Sequence, residues 1–144
     1  MKRIFLTTFV LLAWVVISQA QTKHTIGEKF GGGIVFSVTS HGLHGLIAET
    51  IDQSNDCKWK DVPGVIDDPK NHSTDGKEFT DWRVPTNTEL DKLYEAKDIV
   101  GGFVNGLYWA SARNKGSVYY RCFGPMTIDG SGIVAYHVRA VRAF

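Results

Sequence analysis

Hydrophobic and polar positions divide the chain into stretches of different character. The first, Ile4 to Ile17, is an apolar run without a charge, preceded by Lys2 and Arg3 and followed by Ser18-Gln19-Ala20. A charged start, a short apolar core and a small-x-small ending are the three parts of an export signal. The run is shorter than the ~20 apolar residues a spanning helix needs, and it ends in a processing site. Residues 1–20 are therefore expected to be cleaved as a signal peptide, with the mature chain starting at Gln21 and no membrane span left behind. No cysteine follows the cut, so a lipid-modified signal is not indicated.

Beyond it, Gly31-Gly32-Gly33 opens the apolar stretch Ile34 to Val38, and Thr39 to His44 leads into Gly45-Leu46-Ile47-Ala48-Glu49. This pattern predicts two short strands joined by a turn. From about residue 50 to 81 periodicity disappears and Asp, Asn, Lys, Gly and Pro dominate, which predicts a long irregular surface loop pinned by Cys57 and Trp59. Asp81-Trp82-Arg83-Val84-Pro85 is extended by its proline, and Thr86-Asn87-Thr88-Glu89 has the capping-box pattern. Leu90, Leu93 and Tyr94 then share one helical face, so a single clear helix is expected over about 86–97, ending before Gly101-Gly102. Leu107 to Ala112, Val118 to Phe123 and Ile133 to Ala143 read as strands, with Asp129-Gly130 as a tight turn. The class is α+β with short antiparallel strands.

Charge and length narrow the picture. The chain has 16 basic and 15 acidic residues, and losing Lys2 and Arg3 with the signal leaves a formal −1. A generally basic nucleic-acid binder is thereby excluded. The 124 residues from Gln21 to Phe144 suit one domain. Cys57 and Cys122, the only cysteines, both lie in the exported part. They are readable as a disulfide or as two separate thiols, one in a loop and one in a strand.

Several groups carry candidate chemistry. Arg113, Lys115 and Arg121 lie close in sequence to Trp109, Tyr119 and Tyr120, and guanidinium groups beside aromatic faces suit sugar rings, sulfates or carboxylates. Trp109 also reads as core. Asp67, Asp68, Asn71, Asp75, Glu78 and Asp81 are oxygen ligands suited to calcium but lack EF-hand spacing, so no cofactor is expected. His41 and His44 have H-x-x-H spacing in a glycine-rich turn without a third ligand, and no metal is expected there. Gly31 to Gly33 lack the Lys-Ser/Thr of a phosphate loop and suit a turn or close strand approach. Trp82, Pro85 and Leu90 read as scaffold around the helix entry. Arg139 and Arg142, three apart in the last strand, should face opposite ways, one of them buried against an acid such as Asp81 or Glu89.

Taken in order, the segments Gly32 to Phe36, His44 to Ala48, Asp81 to Thr86 with Glu89-Leu90 and Leu93-Tyr94, Gly101 to Phe103, Tyr108 to Ser111 and Val138 to Phe144 resemble a known family. This is the C-terminal domain family of the Legionella collagen-like adhesin, and the likeness runs from about Gly27 to the end. It implies a C-type-lectin-like domain with close termini and a long irregular loop. The function it implies is non-catalytic recognition of a glycan or of a cell-surface or envelope protein, in the periplasm, at the surface or outside the cell. Upstream collagen-like repeats are missing here, so trimerisation through them is not implied. The Trp82 to Thr86 run is also similar to formylglycine-generating enzymes, whose copper chemistry needs two neighbouring thiols; only Cys122 falls near the end of the domain.

Overall fold

Neighbouring residues of a β-strand point to opposite sides of its sheet, so a strand with adjacent apolar residues must be covered on both faces. Val35 and Phe36 are such a pair, Ile47 and Ala48 another, and all four are buried. The computed structural model describes residues 21–111, 118–125 and 136–144. In chain order its elements are β1 (Lys29–Phe30), β2 (Gly33–Val38), β3 (Gly45–Ala48), α1 (Val62–Asp67), α2 (Asn87–Glu95), α3 (Lys97–Val100), β4 (Gly106–Ala110), β5 (Tyr119–Phe123), β6 (Tyr136–His137) and β7 (Val141–Ala143). The expected export signal and the Asp129-Gly130 turn lie outside the described residues. No helix among the described residues is long and apolar enough to cross a membrane.

The strands form two sheets, ordered β1-β2-β3-β7 and β5-β4-β6. The first is antiparallel throughout, while in the second β4 runs parallel to β6. The α+β class is thus observed, with one parallel pair where only antiparallel ones were expected. On one face of the first sheet, Phe36, Ala48 and Val141 pack with Leu90 and Leu93 of α2 and with Tyr108, Ala110 and Phe123 of the second sheet. On the other, Val35, Ile47 and Ala140 pack with Cys57, Val62, Ile66 and Trp82.

That second face explains the first correction. The stretch from 50 to 81 is no plain surface loop: it carries α1 and three 3-10 turns, Trp59–Asp61, Pro69–Asn71 and Gly76–Glu78. Its apolar residues are few, but Val62 and Ile66, one helical turn apart, are both buried and cover the sheet. The expected single helix is also two. Thr86 caps α2 as its pattern predicts, accepting from Glu89 N at 3.2 Å while Glu89 accepts from Thr86 N at 2.8 Å. The chain then leaves helical geometry at Ala96 (φ −92°, ψ 8°) before α3 begins.

The expected strand Ile133 to Ala143 is divided as well. Its described part is two short strands in different sheets, β6 in the second and β7 in the first. Arg139 lies between them, and its guanidinium is why. Nε donates to Asp52 Oδ1 at 2.7 Å, Nη1 to the Glu49 and Gly101 carbonyls at 3.0 and 3.2 Å, and Nη2 to the Gly102 carbonyl at 2.6 Å. The group stacks 4.0 Å over the Phe103 ring. Gly102 holds a positive φ of 69° and a Cβ there would lie 2.7 Å from the Thr50 carbonyl, so only glycine lets this loop close over the arginine.

One arginine of the pair is therefore buried, as expected, but its acid is Asp52. Asp81 pairs with the more exposed Arg142 (2.7 and 3.0 Å) and Glu89 with Arg83 (both bonds 2.7 Å). Asp52 Oδ2 in turn accepts the Tyr108 hydroxyl at 2.8 Å. His137 stacks on Tyr108 with its Nδ1 buried, unbonded, and 3.7 Å from Asp52. A second buried pair ties the covering segment down: His72 Nε2 donates to the Ile66 carbonyl at 2.7 Å, and its Nδ1 lies 3.0 Å from Glu49 Oε2.

Removing the guanidinium strands a buried carboxylate. Arg139→Ala should cost about 3–5 kcal/mol, read by urea denaturation, and Arg139→Lys less because charge is kept while the fork is lost. A loss below about 1 kcal/mol for the alanine variant would contradict this role. Burial, then the neighbouring Arg139 against the opposing pull of Asp52, leaves His137 with a lowered pKa. The folded state thus prefers the neutral ring, and between the folded and unfolded pKa values the unfolded chain binds more protons. Stability from this group is full above about pH 6.5 and declines as pH falls below it. His137→Asn should shallow that decline in denaturation midpoints; an unchanged slope would contradict it.

Candidate aromatic binding face

Alternation along β4 and β5 sorts their aromatic side chains. On β4, Tyr108 and Ala110 turn inward to the core beneath α2, and Trp109 turns to the other side. On β5, Phe123 enters that same core and Arg121 meets α2, leaving Tyr120 on the side of Trp109. Register places Trp109 directly across from Tyr120. Tyr136 of β6 stacks on Trp109 with centroids 4.3 Å apart and planes 13° from parallel. Tyr120 meets both rings edge-on, 6.5 Å from Trp109 and 5.7 Å from Tyr136. Trp59, from the 3-10 turn before α1, completes the group at 5.6 Å from Trp109.

The backbone holds this group in place. Trp109 Nε1 donates to the Cys57 carbonyl at 2.8 Å, and Cys57 N donates to the Tyr136 carbonyl at 3.0 Å. Both indole position and loop position are thereby fixed to β6. The outer edge stays open, with Tyr120 54% exposed, while Trp59, Trp109 and Tyr136 are half-buried. Rings with one face packed and one edge in solvent present flat, rigid apolar area at little entropic cost. A hollow of about 380 Å³ lined by Lys97, Asp98, Phe103 and Asn105 lies elsewhere, beside Phe123.

The patch read from sequence is split by the fold. Arg113 and Lys115 lie outside the described residues. Arg121 bonds Asp91 and stacks 4.3 Å over Tyr94, so it belongs to the helix face and not to the group around Trp109. Tyr119, 40% exposed, shares that side by alternation, and of the three described residues Tyr120 alone joins the aromatic face. Trp109, expected as scaffold, is half-buried and both anchors the loop and contributes to the surface. Trp82 is buried with Nε1 on the Gly76 carbonyl at 2.8 Å, Leu90 is fully buried, and the Pro85 carbonyl accepts from Ser111 N at 2.7 Å. Trp59 and Tyr136 were not candidates on sequence, because nothing local announces that the backbones of Cys57 and Tyr136, far apart in the chain, are hydrogen-bonded.

The other candidates are dispersed. Of the oxygen ligands, Asp68 caps Lys70 N, Asn71 donates to the Val65 carbonyl, Asp75 pairs with Lys29 and Asp81 with Arg142. His41 and His44 are both exposed on the β2–β3 turn. No group of three His, Cys, Asp or Glu side chains suited to a metal occurs among the described residues. Gly31 and Gly32 hold positive φ in the β1–β2 turn, and Gly33 lies against the Ala48 carbonyl, the close strand approach expected of them.

The two cysteines stand apart in this structure. Both cysteines are free thiols, Cys57 Sγ donating to the Lys58 carbonyl and Cys122 Sγ to the Gly124 carbonyl. Cys122 lies on β5, across from Leu107 of β4, which pairs with Tyr136 of β6, beyond which lies Cys57. Three strand spacings of ~4.8 Å put the two Cα atoms roughly 14 Å apart, about twice the reach of a bridge. Burial, with Asp61 and Asp56 nearby, pushes the Cys57 thiol above its ordinary value.

No protein-family model matches the chain, and no curated protein matches it either. Thiol titration of the denatured, unreduced protein should return both cysteines. Finding neither reactive would mean a bridge and contradict the strand separation.

Proposed function

We propose that this chain is an exported, non-catalytic binding module of C-type-lectin-like fold whose aromatic face takes up a sugar ring. The observation that carries the reading is the group of Trp59, Trp109, Tyr120 and Tyr136, held by backbone hydrogen bonds yet open at Tyr120. The C–H face of a pyranose is apolar and its rim is polar, and fixed aromatic rings bordered by polar groups match both. The lectin-like fold is supported by the meeting of the two ends of the domain. Phe144 and Gly45 exchange both backbone hydrogen bonds, and the His24 and Phe30 rings pack on Phe144 at 5.0 and 5.4 Å. The copper-oxidase alternative loses support from the separation of the two thiols across β4 and β6.

Binding to a glycan array, followed by calorimetry on the best ligand, tests the reading. Tyr120→Ala should weaken binding about tenfold, the ~1.4 kcal/mol of one aromatic contact, with circular dichroism unchanged because the ring is half in solvent. Trp109→Ala should weaken it at least as much. Asn105→Ala, in the separate hollow, should leave affinity unaltered. A blank array, or wild-type affinity in Tyr120→Ala, overturns the proposal.

A further inference from the structure

A hollow of about 330 Å³ opens among the end of α1 and the two 3-10 turns that follow it, and it shares no described residue with the aromatic face. Its floor is made by Ile66, His72 and Trp82, all buried. The His72 and Trp82 rings stack with centroids 5.7 Å apart and planes 22° from parallel. Their polar atoms are already engaged: Trp82 Nε1 on the Gly76 carbonyl, His72 Nε2 on the Ile66 carbonyl and His72 Nδ1 against Glu49 Oε2. A polar group pressed onto this floor would lose its water and find no side-chain partner, so what rests there must be apolar. Phe79, half-buried, forms a wall. The Arg142 guanidinium lies 4.2 Å over its ring, and a Cβ on Gly32 would come within 2.7 Å of it, so the ring is held from outside the hollow.

The rim is different in kind. Asp67, Lys77 and Thr80 line it, and all three are exposed. Asp67 closes α1, the end of a helix where a carboxylate is least favoured and a cation most. An ammonium arriving there meets both the carboxylate and the helix end, while Lys77 offers a charged donor to an anion. The volume lies at the lower end of ligand cavities, ~300–1,000 Å³, which is room for one small molecule. An apolar body carrying an ammonium and a carboxylate at one end matches floor and rim together. We propose that this hollow binds a free α-amino acid with an aromatic or aliphatic side chain, the side chain on His72 and Trp82, the ammonium at Asp67 and the carboxylate at Lys77. The proposal does not draw on the saccharide reading, and the two sites stand or fall separately.

Titration with L-phenylalanine and L-leucine, followed by calorimetry and by the Trp82 indole N–H resonance, tests it, with phenethylamine and 3-phenylpropionate as probes that each lack one charge. Phenylalanine should shift Trp82 and saturate at millimolar concentration or below, and each one-charge probe should bind about threefold more weakly or worse. Asp67→Asn and Lys77→Gln should each weaken phenylalanine about threefold or more at unchanged circular dichroism, because both positions are exposed. Asp67→Asn should leave 3-phenylpropionate unaltered, and Tyr120→Ala should bind phenylalanine as the wild type does. A Trp82 resonance that neither amino acid moves would overturn the proposal. Equal affinity for phenylalanine and 3-phenylpropionate, or wild-type affinity in both charge variants, would overturn the assignment of an amino acid as the ligand.

Discussion

The buried guanidinium of Arg139 is the constraint around which the molecule is arranged. A charge taken out of water must be paired and hydrogen-bonded, and here one carboxylate and three backbone carbonyls take up four of the five N–H donors. Those partners come from the end of β3, the segment after it and the glycine turn after α3. Because Arg139 lies between β6 and β7, satisfying it also fixes where the last segment leaves one sheet for the other. Asp52 extends the same network to the Tyr108 hydroxyl, which itself accepts from Val104 N. Burial and the adjoining Asp52 push that phenol well above its ordinary pKa, so it remains a donor throughout the working range.

The aromatic face is a consequence of this arrangement. With β6 held parallel to β4 by the Arg139 crossing, Tyr136 is delivered to Trp109, and the Gln53 to Cys57 segment runs beside it. Gln53 N and Cys57 N bond the Val138 and Tyr136 carbonyls at 2.8 and 3.0 Å. That edge pairing carries Trp59 to the same surface. A rigid scaffold therefore presents the rings, which limits the entropy lost when a ligand settles on them.

Much of the scaffold was legible in sequence because its signals are local. The capping box at Thr86, the paired apolar residues of β2 and β3 and the alternation of β4 and β5 each declare themselves within a few residues. What was not legible depends on distant pairing. Asp52 looks like any loop acid until Arg139 reaches it, and the 50 to 81 segment hides its burial because Val62 and Ile66 are isolated among polar residues. The described part of the basic-aromatic patch divides for a related reason: Tyr119, Tyr120 and Arg121 are adjacent in sequence, and adjacency in a strand is what separates side chains in space. The cysteines were readable as bridge or thiols, and only strand order decides between them.

Recognition by the Trp59, Trp109, Tyr120 and Tyr136 face is the central claim, and the indole N–H resonances of these tryptophans report on it directly. Trp59 and Trp109 lie in the face, whereas Trp82 is buried with its Nε1 on the Gly76 carbonyl. On titrating a binding saccharide, the Trp59 and Trp109 resonances should move together and saturate with the calorimetric affinity while Trp82 stays still. Shifts confined to Phe103, Asn105 and the hollow around them, with both surface indoles unmoved, would contradict the account.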